Sequence, residues 1–173
     1  EEQTVDEKEI WAVLEVALKQ ACEQFVESRI TEGERLKEDL FDKLDGMIKD
    51  VDAIEDRYPQ IMTEYREKLT LKVEELLGDA QMEEGRIAAE VILFADKICT
   101  DEETVRLRSH IESMREELLS GGSVGRKLDF LAQEMNREAN TILSKANDLE
   151  TSNRAINLKT EIEKVREQIQ NIE

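Results

Sequence analysis

Glu103, Arg106 and His110 stand at spacings of three and four, so on a helix they share one face, with Asp101 and Glu102 just ahead of them. His110 is the only histidine in the chain. It is therefore the only side chain whose ordinary pKa lies near neutrality. Such a set could hold a cation and move a proton. Equally, acids at a helix start favour the helix dipole, and His110 would then be a plain surface residue. A second set comprises Lys127, Asp129, Glu134, Arg137 and Glu138, with Gln133, Asn136 and Asn140 nearby. Glu134 and Glu138 are one helical turn apart and could share an ion. Arg137, Lys127 and Lys145 could meet phosphates, arginine bidentately. The same spacing also describes an ordinary ladder of helix ion pairs. A third set, Glu83, Arg86, Glu90 and Lys97, falls on one side of another helix, with Glu90 among Ala88, Ala89, Val91 and Ile92. It is either a further cation ligand or a salt-bridged face.

These residues need helices to position them, and the pattern supplies helices throughout. Residues 6–30 place Ile10, Leu14, Ala17, Ala21 and Phe25 on one side. Gly33 marks an irregularity. The spacing continues through Leu36, Leu40, Leu44, Met47, Val51 and Ile54, and Tyr58-Pro59 predicts a break at 57–60. Met62, Tyr65, Leu69, Val73 and Leu76 make the next stripe, ended by Gly78-Asp79. An antiparallel hairpin around Pro59 follows. A helix from Met82 to Ile98 comes next, and then one through Leu118, with Thr100 and Glu103 as a capping box. Ser120-Gly121-Gly122-Ser123 is the flexible-looking linker before a helix at 125–146. The last helix, 152–172, repeats Ala155, Leu158, Ile162, Val165, Ile169 and Ile172 as a short coiled-coil seam. The fold class is all-α: a long antiparallel helical hairpin or arm over 1–80, and a small C-terminal helical bundle over 81–173.

The helix at 125–146 is unusual on its polar side. Leu128, Leu131, Met135, Ala139 and Ile142 form its apolar stripe; Arg126, Gln133, Arg137, Asn140 and Ser144 lie opposite. A solvent face is usually filled with interchangeable Glu and Lys. Gln, Asn, Arg and Ser are chosen where something is gripped. The run GRKLDFLAQEMNREANTILSKAND and the ending IEKVREQIQNIE resemble the C-terminal signature of the bacterial YicC-like (YloC) family. The likeness extends upstream through Asp101-Glu102-Glu103, Arg106-Leu107 and Ser109-His110, and more loosely to Arg29-Ile30-Thr31-Glu32-Gly33.

That resemblance implies a divalent-metal-dependent endoribonuclease that assembles as a homo-oligomer, a hexamer, and carries a further N-terminal region of mixed α/β character. It implies a cytoplasmic protein whose partners are RNA and further copies of itself. Since the chain opens on Glu1-Glu2-Gln3 without an initiator Met, the expectation is the C-terminal part of a longer protein. Within it, Glu103, Glu134 and Glu138 would hold Mn²⁺ or Mg²⁺, assisted by Asp129 or Glu90. His110 would transfer protons, with Glu103, Glu134 and Glu138 completing the catalytic set. Arg106, Arg126, Lys127, Gln133, Arg137, Asn140 and Lys145 would bind RNA. The competing expectations are a non-catalytic helical scaffold or adaptor, and an RNA-binding protein that does not cut.

Composition narrows the field further. The net charge of −18 opposes casual binding to nucleic acid. From Val124 onward, however, eight basic residues face nine acidic ones, so nearly all the excess acid lies upstream. Cys22 and Cys99 form no CxxC or Cys/His cluster and are expected as reduced thiols. No apolar run approaches the roughly 20 residues that span a bilayer, so no membrane partner is expected. No P-loop, GxGxxG, HExxH or zinc-finger pattern is present, and aromatic platforms for stacking bases are few.

Overall fold

The computed structural model describes residues 7–77 and 84–172, and among them there are five helices and no strand. These are α1 (Glu7–Leu77), α2 (Glu84–Ile98), α3 (Asp101–Ser120), α4 (Gly125–Lys145) and α5 (Leu149–Ile169). The all-α class is as the sequence implies. The expected ends at Gly78-Asp79 and Met82, and the candidate Glu83, lie outside the described residues.

The break at 57–60 does not occur. Pro59 sits inside α1, and the helix also runs through Gly33. A proline removes one N–H and frees the carbonyl one turn back. Here Pro59 and Glu55 are both exposed, so water can satisfy that carbonyl. The buried Ile54 and Ile61 flank Pro59 and hold the helix on both sides of it. The reversal expected at Pro59 therefore does not occur there. α2 then runs back along the end of α1: Tyr58 Oη donates to the Ala95 carbonyl at 3.1 Å, and Tyr65 stacks on Phe94 with ring centres 3.6 Å apart. Ile98 joins Ile54, Tyr58 and Ile61 around a small pocket.

The chain divides into two compact units, Glu1–Asp39 and Leu40–Glu173, where the sequence reading drew its line at 80. Residues 40–77 belong to the second unit because Leu40, Leu44, Met47, Val51, Ile54 and Ile61 are buried in its core. In the first unit, Ile10, Trp11, Leu14, Phe25, Val26 and Ile30 are all exposed.

The second unit is a four-helix bundle of α1 (from Leu40), α3, α4 and α5, with α2 beside it. Side-chain pairs fix the directions. Asp45 meets Arg115, and Asp52 and Glu55 meet Arg108, so α3 is antiparallel to α1. Glu103 meets Lys145 and Glu117 meets Lys127, which makes α4 antiparallel to α3. Asp129 meets Arg166 across α4 and α5, and Asp50 and Arg57 meet Arg154 and Asp148 across α1 and α5. Each neighbouring pair in the ring is thus antiparallel. The interior is built from near-heptad stripes: Leu107, Ile111, Met114; Leu128, Met135, Ile142; Leu158, Ile162, Val165. Each such side chain contributes about 1.5–3 kcal/mol on burial.

The link between α3 and α4 follows the sequence expectation. Gly121 and Gly122 have φ of 68° and 84°, a region costly for other residues. Asp148 caps α5, accepting a hydrogen bond from the Glu150 amide at 3.2 Å. The capping box at Thr100 does not form: its side chain makes no cap hydrogen bond. Glu103, which should reach back to Thr100, turns instead to Lys145.

Candidate functional site

The site grows from the α3–α4 contact. α3 turns Leu107, Ile111 and Met114 into the core, which leaves Glu103, Arg106 and His110 along the border facing α4. On α4 the matching border carries Lys127, Glu134, Glu138 and Lys145. Because the helices are antiparallel, these borders zip residue against residue. Lys145 Nζ donates to both Glu103 carboxylate oxygens at 3.0 Å and to the Cys99 carbonyl at 2.9 Å. Arg106 Nε donates to Glu138 at 2.8 Å, while its other nitrogens reach Glu102 at 3.0 Å and Glu103 at 3.4 Å. At the far end Lys127 pairs with Glu117. Between these rungs, the same register sets His110 level with Glu134.

The rungs differ in burial. The Glu103 side chain is 6% exposed and that of Glu138 12%, and each buried carboxylate is met by a cation, as burial of such a group requires. Glu134 is 21% exposed and pairs with Arg137 at 2.8 Å. His110 is half-buried and makes no ion pair or side-chain hydrogen bond among the described residues. Hydrogen bonds that Arg106 donates to the carboxylates of Glu138 and Glu102 push its pKa further up, and that guanidinium stays charged.

The expected site residues thus separate into groups. Glu103, His110, Glu134 and Glu138 do lie along one seam. Arg106 and Lys145, expected to meet phosphates, are held by carboxylates inside that seam. Asp129 lies on the other border of α4, where Arg166 Nε donates to it at 3.0 Å and Gln133 at 2.7 Å. Glu90 is exposed on α2 and joins neither group. Arg126, Gln133, Arg137 and Asn140 project from the solvent face of α4 with Ser144. Among the described residues no group of three or more His, Cys, Asp or Glu side chains converges to hold a metal ion. The set Glu103, Glu134, Glu138, Asp129 and Glu90 therefore does not fit a carboxylate cage within one chain, and Glu103 and Glu138 are already neutralised by cations.

Sequence spacing missed two features. It could not show that Lys145 crosses back to Glu103, because nothing local links residues 42 apart. It also passed over Phe130, which is 59% exposed on the polar side of α4, although its spacing from Arg126 and Arg137 carries that information.

The arrangement can offer proton transfer at His110, with a carboxylate level with it. It can also offer a basic and amide-rich surface beside that point. A model of the family "Endoribonuclease YicC-like, C-terminal" matches residues 54–173, which contain every part of the seam. The chain is similar to a protein of Clostridioides difficile (strain 630) named "Probable endoribonuclease YicC", 43% identical over the whole chain and 59% of that relative's length. It is also similar to a protein of the same name from Haemophilus influenzae, 38% identical over 86% of the chain and 51% of that relative. It thus spans just over half the length of these relatives. On this match the chain belongs to the YicC-like endoribonuclease family.

Proposed function

We propose that this chain cleaves RNA internally by phosphodiester hydrolysis at the α3–α4 seam. The observation that carries the reading is the register that sets His110 level with Glu134, beside an α4 surface free of carboxylates along its outer line. In this reading His110 exchanges a proton with the reacting oxygens, and Glu134 orients the imidazole. Arg106, Glu103, Glu138 and Lys145 are positioning residues: their ion pairs lock the two borders so that His110 cannot drift. Arg126, Gln133, Arg137 and Asn140 hold the strand, and Lys127 lies at its edge. The printed names of the two relatives support RNA as the substrate.

Dependence on Mn²⁺ or Mg²⁺ is part of the proposal, as are assembly into a homo-oligomer and residence in the cytoplasm. The exposed apolar side chains of residues 10–30 support self-association. No described helix is long and apolar enough to cross a membrane. Mg²⁺ is commonly held by one or two carboxylates, completed by water and substrate phosphate. The chain's own part is therefore binding, orientation and proton transfer.

Purified protein should cut an unstructured RNA internally with Mn²⁺ and stop on addition of chelator. His110→Ala and Glu134→Gln should remove cleavage while leaving RNA affinity and molar mass unchanged. Cleavage that survives both substitutions would sink this reading. Salt-sensitive RNA binding with no products under any metal condition would instead make the protein a binder that does not cut.

A further inference from the structure

Along the outer line of α4, Arg126, Phe130, Gln133, Arg137, Asn140 and Ser144 follow one another at spacings of four and three. That line points directly away from Leu128, Met135 and Ile142 in the core. In a protein of net charge −18 it contains no carboxylate. At its borders Asp129 pairs with Arg166, and Glu134 meets one nitrogen of Arg137, whose side chain is 73% exposed and can turn its guanidinium to a phosphate as well. Arg126 makes no ion pair among the described residues. Phe130, 59% exposed, sits in the middle of this polar line. It is not among the side chains of the bundle core.

We infer that Phe130 is a stacking platform for a base of unpaired RNA, flanked by Arg126 and Arg137 as phosphate anchors. The axial rise of a helix sets Arg126 about 6 Å to one side of the ring and Arg137 about 10 Å to the other. A strand laid along α4 can therefore seat its backbone on both guanidiniums while one base covers the ring. A duplex keeps its bases stacked inside and cannot offer a face to Phe130, so the contact selects unpaired strands. Charge complementarity favours RNA over a second acidic copy of this chain. The inference rests on the endoribonuclease reading and names the form of RNA that reading would take.

The test compares wild type with Phe130→Ala, Phe130→Leu and Phe130→Trp. Anisotropy would be measured on one labelled oligoribonucleotide, free and annealed to its complement. Stacking of a single base predicts that alanine and leucine weaken binding of the free strand by about 5- to 100-fold. Duplex binding should stay unchanged, and tryptophan should restore affinity. In a Trp11→Phe background, emission from the Phe130→Trp protein should be quenched as free strand is added. Unaltered affinity in Phe130→Ala, full activity of leucine, or equal loss on duplex would overturn the inference. So would a change of molar mass in Phe130→Ala by light scattering, which would mean that another protein surface covers the ring. Wild type that cuts RNA with no effect at Phe130 would remove this inference alone. Wild type that neither binds nor cuts RNA would remove the endoribonuclease reading with it.

Discussion

The Lys145 ammonium sits 3.0 Å from both carboxylate oxygens of Glu103, joining the last turn of α4 to the first turn of α3. The pair is lopsided, since Glu103 is 6% exposed and Lys145 32%. Removing either partner therefore has unequal consequences. Lys145→Met leaves a buried carboxylate with only the longer contact from Arg106 and should cost about 2–3 kcal/mol. Glu103→Gln leaves an ammonium that can swing toward water and should cost about 1 kcal/mol. Urea denaturation midpoints of the two variants check the order.

His110 makes no ion pair or side-chain hydrogen bond among the described residues, so His110→Ala should unfold within about 1 kcal/mol of wild type. If it serves as the proton carrier, its loss should slow RNA cleavage by about 10²–10⁴-fold, with little change in affinity. Single-turnover cleavage beside an anisotropy titration separates the two quantities.

Much of this was legible beforehand. The apolar stripes at Leu128, Met135 and Ile142 and at Leu158, Ile162 and Val165 marked α4 and α5, because burial repeats at the helical period. Gly121 and Gly122 marked the turn for a local reason, their positive φ. Pro59 misled because its penalty is local, while Ile54 and Ile61 hold the helix through distant packing. The same division runs through the site. Which residues share a helix face could be read from spacing. That Arg106 would be claimed by Glu138 could not, since that contact depends on how α3 and α4 slide against one another.

Glycine substitutions should separate two kinds of site in the bundle. A Cβ at Gly46, inside α1, would meet nothing within 4 Å. Gly46→Ala should then stabilise by about 0.5–1 kcal/mol. A Cβ at Gly125 would meet the Ile172 carbonyl oxygen at 2.9 Å, so Gly125→Ala should bring no such gain. Thermal melts of both variants test the contrast.

Acid should loosen the junction of α1 and α5. Burial raises the Asp148 pKa, but the polar groups of nearby Thr151, the hydrogen bond donated by Arg57 and the Arg57 charge more than offset that and leave it lowered. A carboxylate with a depressed folded pKa stabilises the fold above its unfolded pKa of about 3.9. That contribution is lost as pH falls through the lower, folded value. Arg57→Met should therefore lower the melting temperature at neutral pH and flatten its decline below about pH 4. Melting curves of both proteins across that range decide it.

The aromatic residues are divided in a way that makes the molecule its own reporter. Tyr58 and Tyr65, its two tyrosines, both lie where α2 meets α1, whereas Trp11, its one tryptophan, stands exposed in the unit ending at Asp39. Selective excitation of the indole follows one unit, and the phenol signal follows detachment of α2 from the other. Melting traces recorded in the two channels will show whether the two units unfold together or in sequence, with no dye attached.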